Sequence, residues 1–463
     1  MTASTIAPQT THTQDIDYIT TDSGNAERLV REHRPDFRYC EPLGGWLTWT
    51  GIRWQVDNAA IYEKARDIGR QILREASDAQ DRHVRDRLIQ HARYTLGESG
   101  TRRMIALAEK DSLVRVGPEL FDSDPYLFNV ENGTLNLLTG DLHDHERENL
   151  MTKLAYVSHD PDAKAPTFYR FIRRVLPDGA VRRYVRKALG YSLSGGSERQ
   201  EFYLNQGVGD NGKNTLYDTV LTLMGDYAAT LPIDALMTRQ QGGNASPEIA
   251  SLKGRRLVVA SESDENQRIK PGLIKRLTGD KTITARQLYK GLMTFERQFK
   301  LFLHVNHKPE IGDDGHGMWR RVKLIPWTVK IDRAEKDPAL PAKLEAEKSG
   351  ILNWMLDGYK LYVLEGLEPP TPIKDATDDY RAESSKMTLF IKDECVTGDE
   401  SVFVVKDLLY EAYKDWCDEN RVYSESKKKF GNKLIERGYD KDQQERVNGS
   451  KVRVWRGIGL KAR

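Results

Sequence analysis

The sequence predicts an α/β nucleotide-binding core between an α+β N-terminal domain and a basic C-terminal domain with the element order of a winged helix. Three observations predict it. The stretch Gly207-Val208-Gly209-Asp210-Asn211-Gly212-Lys213-Asn214-Thr215 follows the β-prone Phe202-Tyr203-Leu204 and precedes helix-forming Leu216–Leu221. Two later runs, Arg255–Ser261 and Phe299–Val305, are apolar enough for strands of a parallel sheet buried on both faces, and end at Glu262 and Asn306. Near the C-terminus, two helical stretches precede a hairpin whose Asn448-Gly449 is a strong turn signal.

With 463 residues, 38% hydrophobic and 30% charged, the chain is expected to hold two to four domains and bury a substantial core. No apolar run approaches the ~20 residues needed to span a membrane. Residues 1–24 are polar and Thr-rich, with neither the charged start nor the apolar stretch of a signal peptide, and are expected to be a flexible tail. The three cysteines (Cys40, Cys395, Cys417) lie far apart, which argues against a disulfide framework or a zinc site and fits a reducing cytoplasm. His143 and His145 would share one strand face, but no third ligand is spaced to join them, and a solvated pair is expected.

The N-terminal domain, 25–161, opens with a hairpin over 45–54, in which Trp46, Trp49 and Trp54 read as core residues rather than base-stacking ones. A charged helical stretch follows from Ala59 to Ala108, then a second hairpin set over Phe128–Asp141. The core spans 166–366 and ends in helices over 332–366. Residues 367–386, with Pro369, Pro370 and Pro372 among acidic side chains, read as a linker. In the last domain, 387–463, helices are expected near 405–420 and 427–437. Its final 43 residues carry 13 Lys and Arg against 5 Asp and Glu, a local excess suited to a nucleic-acid partner or to a plain basic face.

The chemistry follows from residue types at element ends. Glycines in 207–215 let backbone N–H groups converge on phosphate oxygens, and the helix N-terminus behind them adds partial positive charge. Gly207, Gly209, Asp210, Asn211, Gly212, Lys213, Asn214 and Thr215 are the candidate ATP-binding residues, with Lys213 reaching the β- and γ-phosphates. A hydroxyl usually follows that lysine to hold Mg²⁺. Here Asn214 stands there and Thr215 comes next, so the metal ligands expected are Thr215, or a bridging water, together with Glu262. Glu262 at a strand end can also polarise an attacking water, and Asn306 can sense the γ-phosphate. Asp264 and Glu265 follow Glu262 and can share its task; the alternative is that this acidic cluster simply caps the next element. The segment 282–295 reads as a hairpin presenting Arg286, Tyr289 and Lys290 to a phosphate backbone, or as an ordinary surface hairpin. The tandem Arg320-Arg321 after a glycine-rich loop suits an arginine finger supplied to a neighbouring subunit.

Lys213, Glu262, the basic hairpin, Asn306 and Arg320-Arg321, in that order, resemble a superfamily 3 helicase. More narrowly, the chain is similar to the phage/plasmid primase–helicase family, whose poxvirus relatives share the layout. Asn211-Gly212-Lys213 matches that family's loop, Gly24–Arg28 and the Trp46–Trp54 hairpin its region ahead of the helicase, and the C-terminal part its winged-helix domain. The resemblance implies an AAA+-like P-loop ATPase core and a homo-hexamer binding ATP and Mg²⁺ between subunits. It also implies translocation on single-stranded or forked DNA during replication in a bacterial host, alongside a separate primase or polymerase. Priming by this chain itself is not expected, because no polymerase-like domain precedes the core. The alternative is an ATP-binding origin-recognition or helicase-loading protein with little hydrolysis.

Overall fold

The computed structural model describes residues 20–237, 247–261, 268–286, 291–311, 313, 316–399, 401–439, 443–447 and 450–461. It divides into two compact units, 1–159 and 160–463.

In the first unit, α1 (Asp22–His33) precedes an antiparallel sheet of β1 (Phe37–Cys40), β2 (Gly45–Trp49) and β3 (Trp54–Val56). Trp49 pairs with Trp54 across the expected hairpin, and Trp46 and Trp54 are buried. The charged stretch breaks into α2 (Ala60–Asp78), α3 (Arg82–Leu96) and α4 (Glu98–Ala108). Ile61, Ala65, Ile68 and Ile72 fall at helical spacing on α2 and are buried, so this face packs inward while the charges face water. The second sheet is β4 (Leu127–Val130), β5 (Gly133–Asn136) and β6 (Leu142–His143). His145 there bonds the Asn129 side chain, and no metal-ligating cluster occurs among the described residues.

The second unit begins with α5 (Pro166–Val175) and α6 (Gly179–Tyr191). Its sheet contains β7 (Phe202–Gln206), β8 (Ala228–Pro232), β9 (Leu257–Ser261), β12 (Lys300–Val305) and β13 (Val322–Pro326). All five are parallel, in the spatial order β13-β7-β12-β9-β8. Between them come α7 (Lys213–Met224), the short α8 (Pro247–Ala250), α9 (Pro271–Gly279), the hairpin β10 (Thr282–Arg286) and β11 (Leu292–Glu296), and α10 (His316–Trp319). Phe202, Tyr203, Leu204 and Leu257 through Ala260 are almost fully buried. Each large apolar side chain so buried contributes ~2 kcal/mol.

Behind the sheet, α11 (Leu340–Ala346) is followed by α12 (Lys348–Glu365), which crosses α6 at backbone contact. A Cβ on Gly190 would lie 2.2 Å from the Tyr359 nitrogen, and one on Gly358 2.2 Å from the Arg186 carbonyl oxygen. Only glycine permits that approach.

The segment expected to be a linker is mostly a helix, α13 (Thr371–Glu383). Its prolines start the helix rather than exclude one, since Pro370 caps it and Pro372 lies in the first turn, where no N–H is needed. Ile373 and Tyr380 form a buried stripe, flanked by Ala376 and Thr377, whose hydroxyl accepts from the Leu324 amide at 3.0 Å. The C-terminal region follows as α14 (Lys386–Glu394), β14 (Cys395–Thr397), β15 (Phe403–Val405), α15 (Lys406–Glu419), α16 (Lys427–Glu436), β16 (Gln443–Val447), β17 (Ser450–Arg456) and β18 (Ile458–Leu460). β16 and β17 form the expected hairpin, while Asn448 and Gly449 lie outside the described residues.

Candidate functional site

Strands that follow β7 in sequence lie on both sides of it, β13 on one flank and β12 on the other. A parallel sheet with connections diverging this way opens a crevice at its carboxyl edge. The glycine-rich loop sits there. Gly209, Asp210 and Gly212 adopt positive φ of 57°, 46° and 78°, which turns the chain sharply into α7. Gly212 also lies under α5, where a Cβ would come within 2.5 Å of Val175 and 3.1 Å of Phe171.

Lys213 is 4% exposed. Its Nζ donates to the carbonyl oxygens of Val305 at 2.9 Å and Gly207 at 3.4 Å, so the ammonium spans the ends of β12 and β7. The buried Asn211 accepts the Lys213 amide through Oδ1 at 3.2 Å, while its Nδ2 has no partner. Beside Lys213, burial and the ammonium's charge push the His304 imidazole down to about 3, so this ring is neutral. Tyr217 packs edge-on against it at 4.3 Å and hydrogen-bonds Asn205, which also accepts from the Trp327 indole at 2.9 Å. This buried layer fixes the floor under the loop.

Above the floor is a cleft of about 1470 Å³. The loop from Gly209 to Thr215 forms one wall and Asn306 contributes to it. Phe171, Arg174 and Val175 of α5, with Ile331, Lys336 and Leu340, supply the rest of its lining. The coil between β13 and α11 crosses the mouth as a strap. Its Ile331 amide donates to the Asp210 carbonyl at 2.7 Å, and Lys336 Nζ lies 2.6 Å from the Asp210 carboxylate. The Lys336 ammonium holds that carboxyl below the usual carboxylate range. On its outer side, Arg174 grips the strap through Glu335 at 2.8 Å and the Lys330 carbonyl at 3.3 Å.

The loop residues and Asn306 are therefore brought together, with Thr215 half-buried on the first turn of α7 and Asn214 exposed beside it. Glu262, Asp264, Glu265, Tyr289 and Lys290 lie outside the described residues, whereas Arg286 is exposed at the end of β10. The tandem arginines separate. Arg320 is exposed and bonds Gln200. Arg321 is 8% exposed and bonds Thr278, the Gly317 carbonyl and Gln200 within its own chain. Both precede β13, and the Arg321 carbonyl accepts from Phe202 at the start of β7. They thus sit at the amino edge of the sheet, a strand length of ~16 Å from the loop. Sequence reasoning missed α5 and the strap as cleft walls. The Pro-started α5 has a strong apolar face that signals packing, but nothing local ties Lys336 to Asp210 across 126 positions.

The chain matches the D5 N terminal like family over residues 26–177 and the poxvirus D5 protein-like family over 382–454. The chain carries D5-type domains. Between these D5-type segments, residues 205–321 match a family of unknown function (DUF5906), and this stretch holds Lys213, Asn306, Arg320 and Arg321. Curated relatives include "Putative helicase L207/L206" of Acanthamoeba polyphaga mimivirus, 31% identical over 322 residues, covering 65% of this chain and 34% of that protein. "Putative helicase 022R" of Frog virus 3 is 28% identical over 280 residues, 56% of this chain and 29% of that protein. "Putative primase C962R" of African swine fever virus (strain Badajoz 1971 Vero-adapted) is 23% identical over 332 residues, 65% of this chain and 34% of that protein. The chain thus aligns with about a third of the length of these relatives. Among solved structures, the apo C-terminal region of NrS-1 aligns with a TM-score of 0.47 at 10% identity, covering 93% of this chain and 98% of that one.

Proposed function

We propose that this chain is the motor part of an ATP-driven DNA helicase of the D5 type, working as a homo-hexamer on single-stranded or forked DNA in replication. One observation carries the reading. Lys213, at the start of the helix that follows β7 and its loop, and Asn306, at the end of the neighbouring parallel strand β12, line a single cleft at the carboxyl edge of the sheet. An AAA+-like P-loop core uses that geometry to hold a triphosphate, and the cleft is roomy enough for a nucleotide.

In this reading ATP lies along 207–215. Lys213 leaves its two carbonyl partners for the β- and γ-phosphates, which accept a charged donor more strongly. Asn306 senses the γ-phosphate, and Glu262 activates the attacking water. The Thr215 hydroxyl fits a Mg²⁺ site by its place on the first turn of α7, with Glu262 as the other ligand. The ion would neutralise charge between the phosphates. Arg320, exposed and far from its own loop, completes a neighbour's site, whereas Arg321 holds the amino edge of the sheet. Arg286, with Tyr289 and Lys290 at the hairpin tip, grips DNA. The C-terminal domain acts as a winged helix with a basic face. No described helix is long and apolar enough to cross a membrane. A phage or plasmid setting in bacterial cytoplasm, with a separate primase or polymerase, is part of the proposal. The relatives named above come instead from an amoebal virus, a frog virus and a swine virus.

A second reading, an ATP-binding origin-recognition or loading protein with little turnover, is favoured by Asn214 standing where a hydroxyl is usual. Measured ATP hydrolysis with and without single-stranded DNA separates the two. The helicase reading expects DNA-stimulated turnover that Lys213→Ala abolishes; DNA-independent or negligible turnover by the unmodified protein overturns it.

A further inference from the structure

The nucleotide loop carries a carboxylate where a polyphosphate is to bind. Asp210 is exposed, lies in the loop between Gly209 and Gly212, and adopts a left-handed φ of 46° that L-residues other than glycine disfavour. Its carboxylate would repel phosphate. The strap residues 327–337 supply what holds it. The Trp327 amide donates to the Gln206 carbonyl at the end of β7, the Ile331 amide to the Asp210 carbonyl and Lys336 to the Asp210 carboxylate, so the strap is tied to β7 and the loop at three points. Arg174 of α5 holds the strap through the Lys330 carbonyl and Glu335, next to Lys336, which lines the cleft.

We propose that Lys336 is a second phosphate-binding lysine and that Asp210 is its place-holder between nucleotides, so that Asp210 and a nucleoside triphosphate compete for one ammonium group. The Asp210–Lys336 pair is built to exchange. Both side chains are about half exposed, 54% and 48%. Such pairs are worth little in water. A triphosphate offers the same ammonium several anionic oxygens and a larger charge. Once Lys336 turns to phosphate, the strap loses its one side-chain tie to Asp210, while the backbone bonds of Ile331 to Asp210 and of Trp327 to Gln206 remain. Nucleotide occupancy is thereby transmitted to α11 and α12, which follow the strap directly. A second lysine lining the same cleft also lets the site favour a triphosphate over a monophosphate, because the triphosphate offers more anionic oxygens to Lys213 and Lys336 together.

This inference rests on the nucleotide reading of the 207–215 loop, and a double-mutant cycle separates the two. Binding of a non-hydrolysable ATP analogue and of AMP is measured by titration calorimetry for the full chain and for Lys336→Gln, Asp210→Asn, the double variant and Lys213→Ala. Asp210→Asn is expected to tighten analogue binding and Lys336→Gln to weaken it, each by about three- to tenfold, with AMP changed much less. The decisive arm is the double variant. If Lys336 touches phosphate, its removal weakens analogue binding even with Asn at 210. If Lys336 only neutralises Asp210, its removal there changes nothing, and the inference falls while the nucleotide reading stands. Should the unmodified chain bind no analogue, or Lys213→Ala bind it equally well, the nucleotide reading falls and takes this inference with it. Thermal unfolding of each variant without ligand identifies any loss that comes from misfolding.

Discussion

Lys213 Nζ lies 2.9 Å from the carbonyl oxygen of Val305, the residue immediately before Asn306. The lysine expected to bind phosphate is thus bonded to the strand end expected to sense it. A triphosphate that draws the ammonium away removes this bond and leaves the end of β12 with one main-chain tie fewer.

The two arginines carry opposite expectations. Arg321 is buried with bonds to Thr278, Gly317 and Gln200, so Arg321→Ala takes this donor from the Thr278 hydroxyl and the Gly317 carbonyl, empties a buried site and destabilises the fold by about 2–4 kcal/mol. Arg320→Ala removes an exposed side chain bonded to Gln200, and leaves the melting temperature nearly unchanged while hydrolysis drops about a thousandfold. Thermal melts and steady-state ATPase rates on both variants check the split. Equal effects of the two on stability would contradict it.

Gly212 is required twice, by its φ of 78° and by the 2.5 Å approach a Cβ would make to Val175. Gly212→Val is expected to push α5 off the loop, destabilise the chain by about 1–3 kcal/mol and abolish nucleotide binding. Gly209, also at positive φ but with open space around it, should tolerate alanine better. Comparing analogue affinities of Gly212→Ala and Gly209→Ala tests this ranking.

Arg286 is exposed at the end of β10, a strand whose other face buries Ile283 and Ala285, and an interaction with DNA there is expected to be electrostatic. Arg286→Ala should weaken single-stranded DNA binding for all sequences alike and lower the salt slope by ~0.7 for each phosphate that is no longer neutralised. Titrations at several salt concentrations read this slope. An unchanged slope would remove Arg286 from the interface.

His304 sets a pH dependence. Its imidazole is pushed down to about 3 by burial and by Lys213, against an unfolded value near 6.5. The unfolded chain therefore binds a proton that the folded chain refuses between those values, so this contribution to stability is intact above about 6.5 and erodes as pH falls toward 3. His304→Asn should show a shallower loss of melting temperature from pH 7 to pH 4 than the unmodified chain. Parallel curves would show that His304 does not titrate this way.

What the sequence disclosed and what it hid divide by range. The loop, β7, β9 and β12 were legible because consecutive residues carry their chemistry or their apolar runs. The helix 371–383 was hidden because three prolines outweighed an Ile373–Tyr380 stripe whose meaning depends on β13 and Pro309 across the fold. The different fates of Arg320 and Arg321 were hidden for the same reason: adjacent and chemically identical, they both bond Gln200 and are distinguished by what Thr278 of α9 and Gly317 of α10 offer Arg321. Glu262, Tyr289 and Lys290 rest on sequence alone.

The most direct test mixes two inactive proteins, Lys213→Ala and Arg320→Ala, and measures ATP hydrolysis in the presence of single-stranded DNA. A site formed where protomers meet predicts recovery, because an intact loop on one chain then faces an intact Arg320 on the next. If the mixture stays as inactive as its components, or if either variant alone hydrolyses ATP at the unmodified rate, the shared-site account is contradicted.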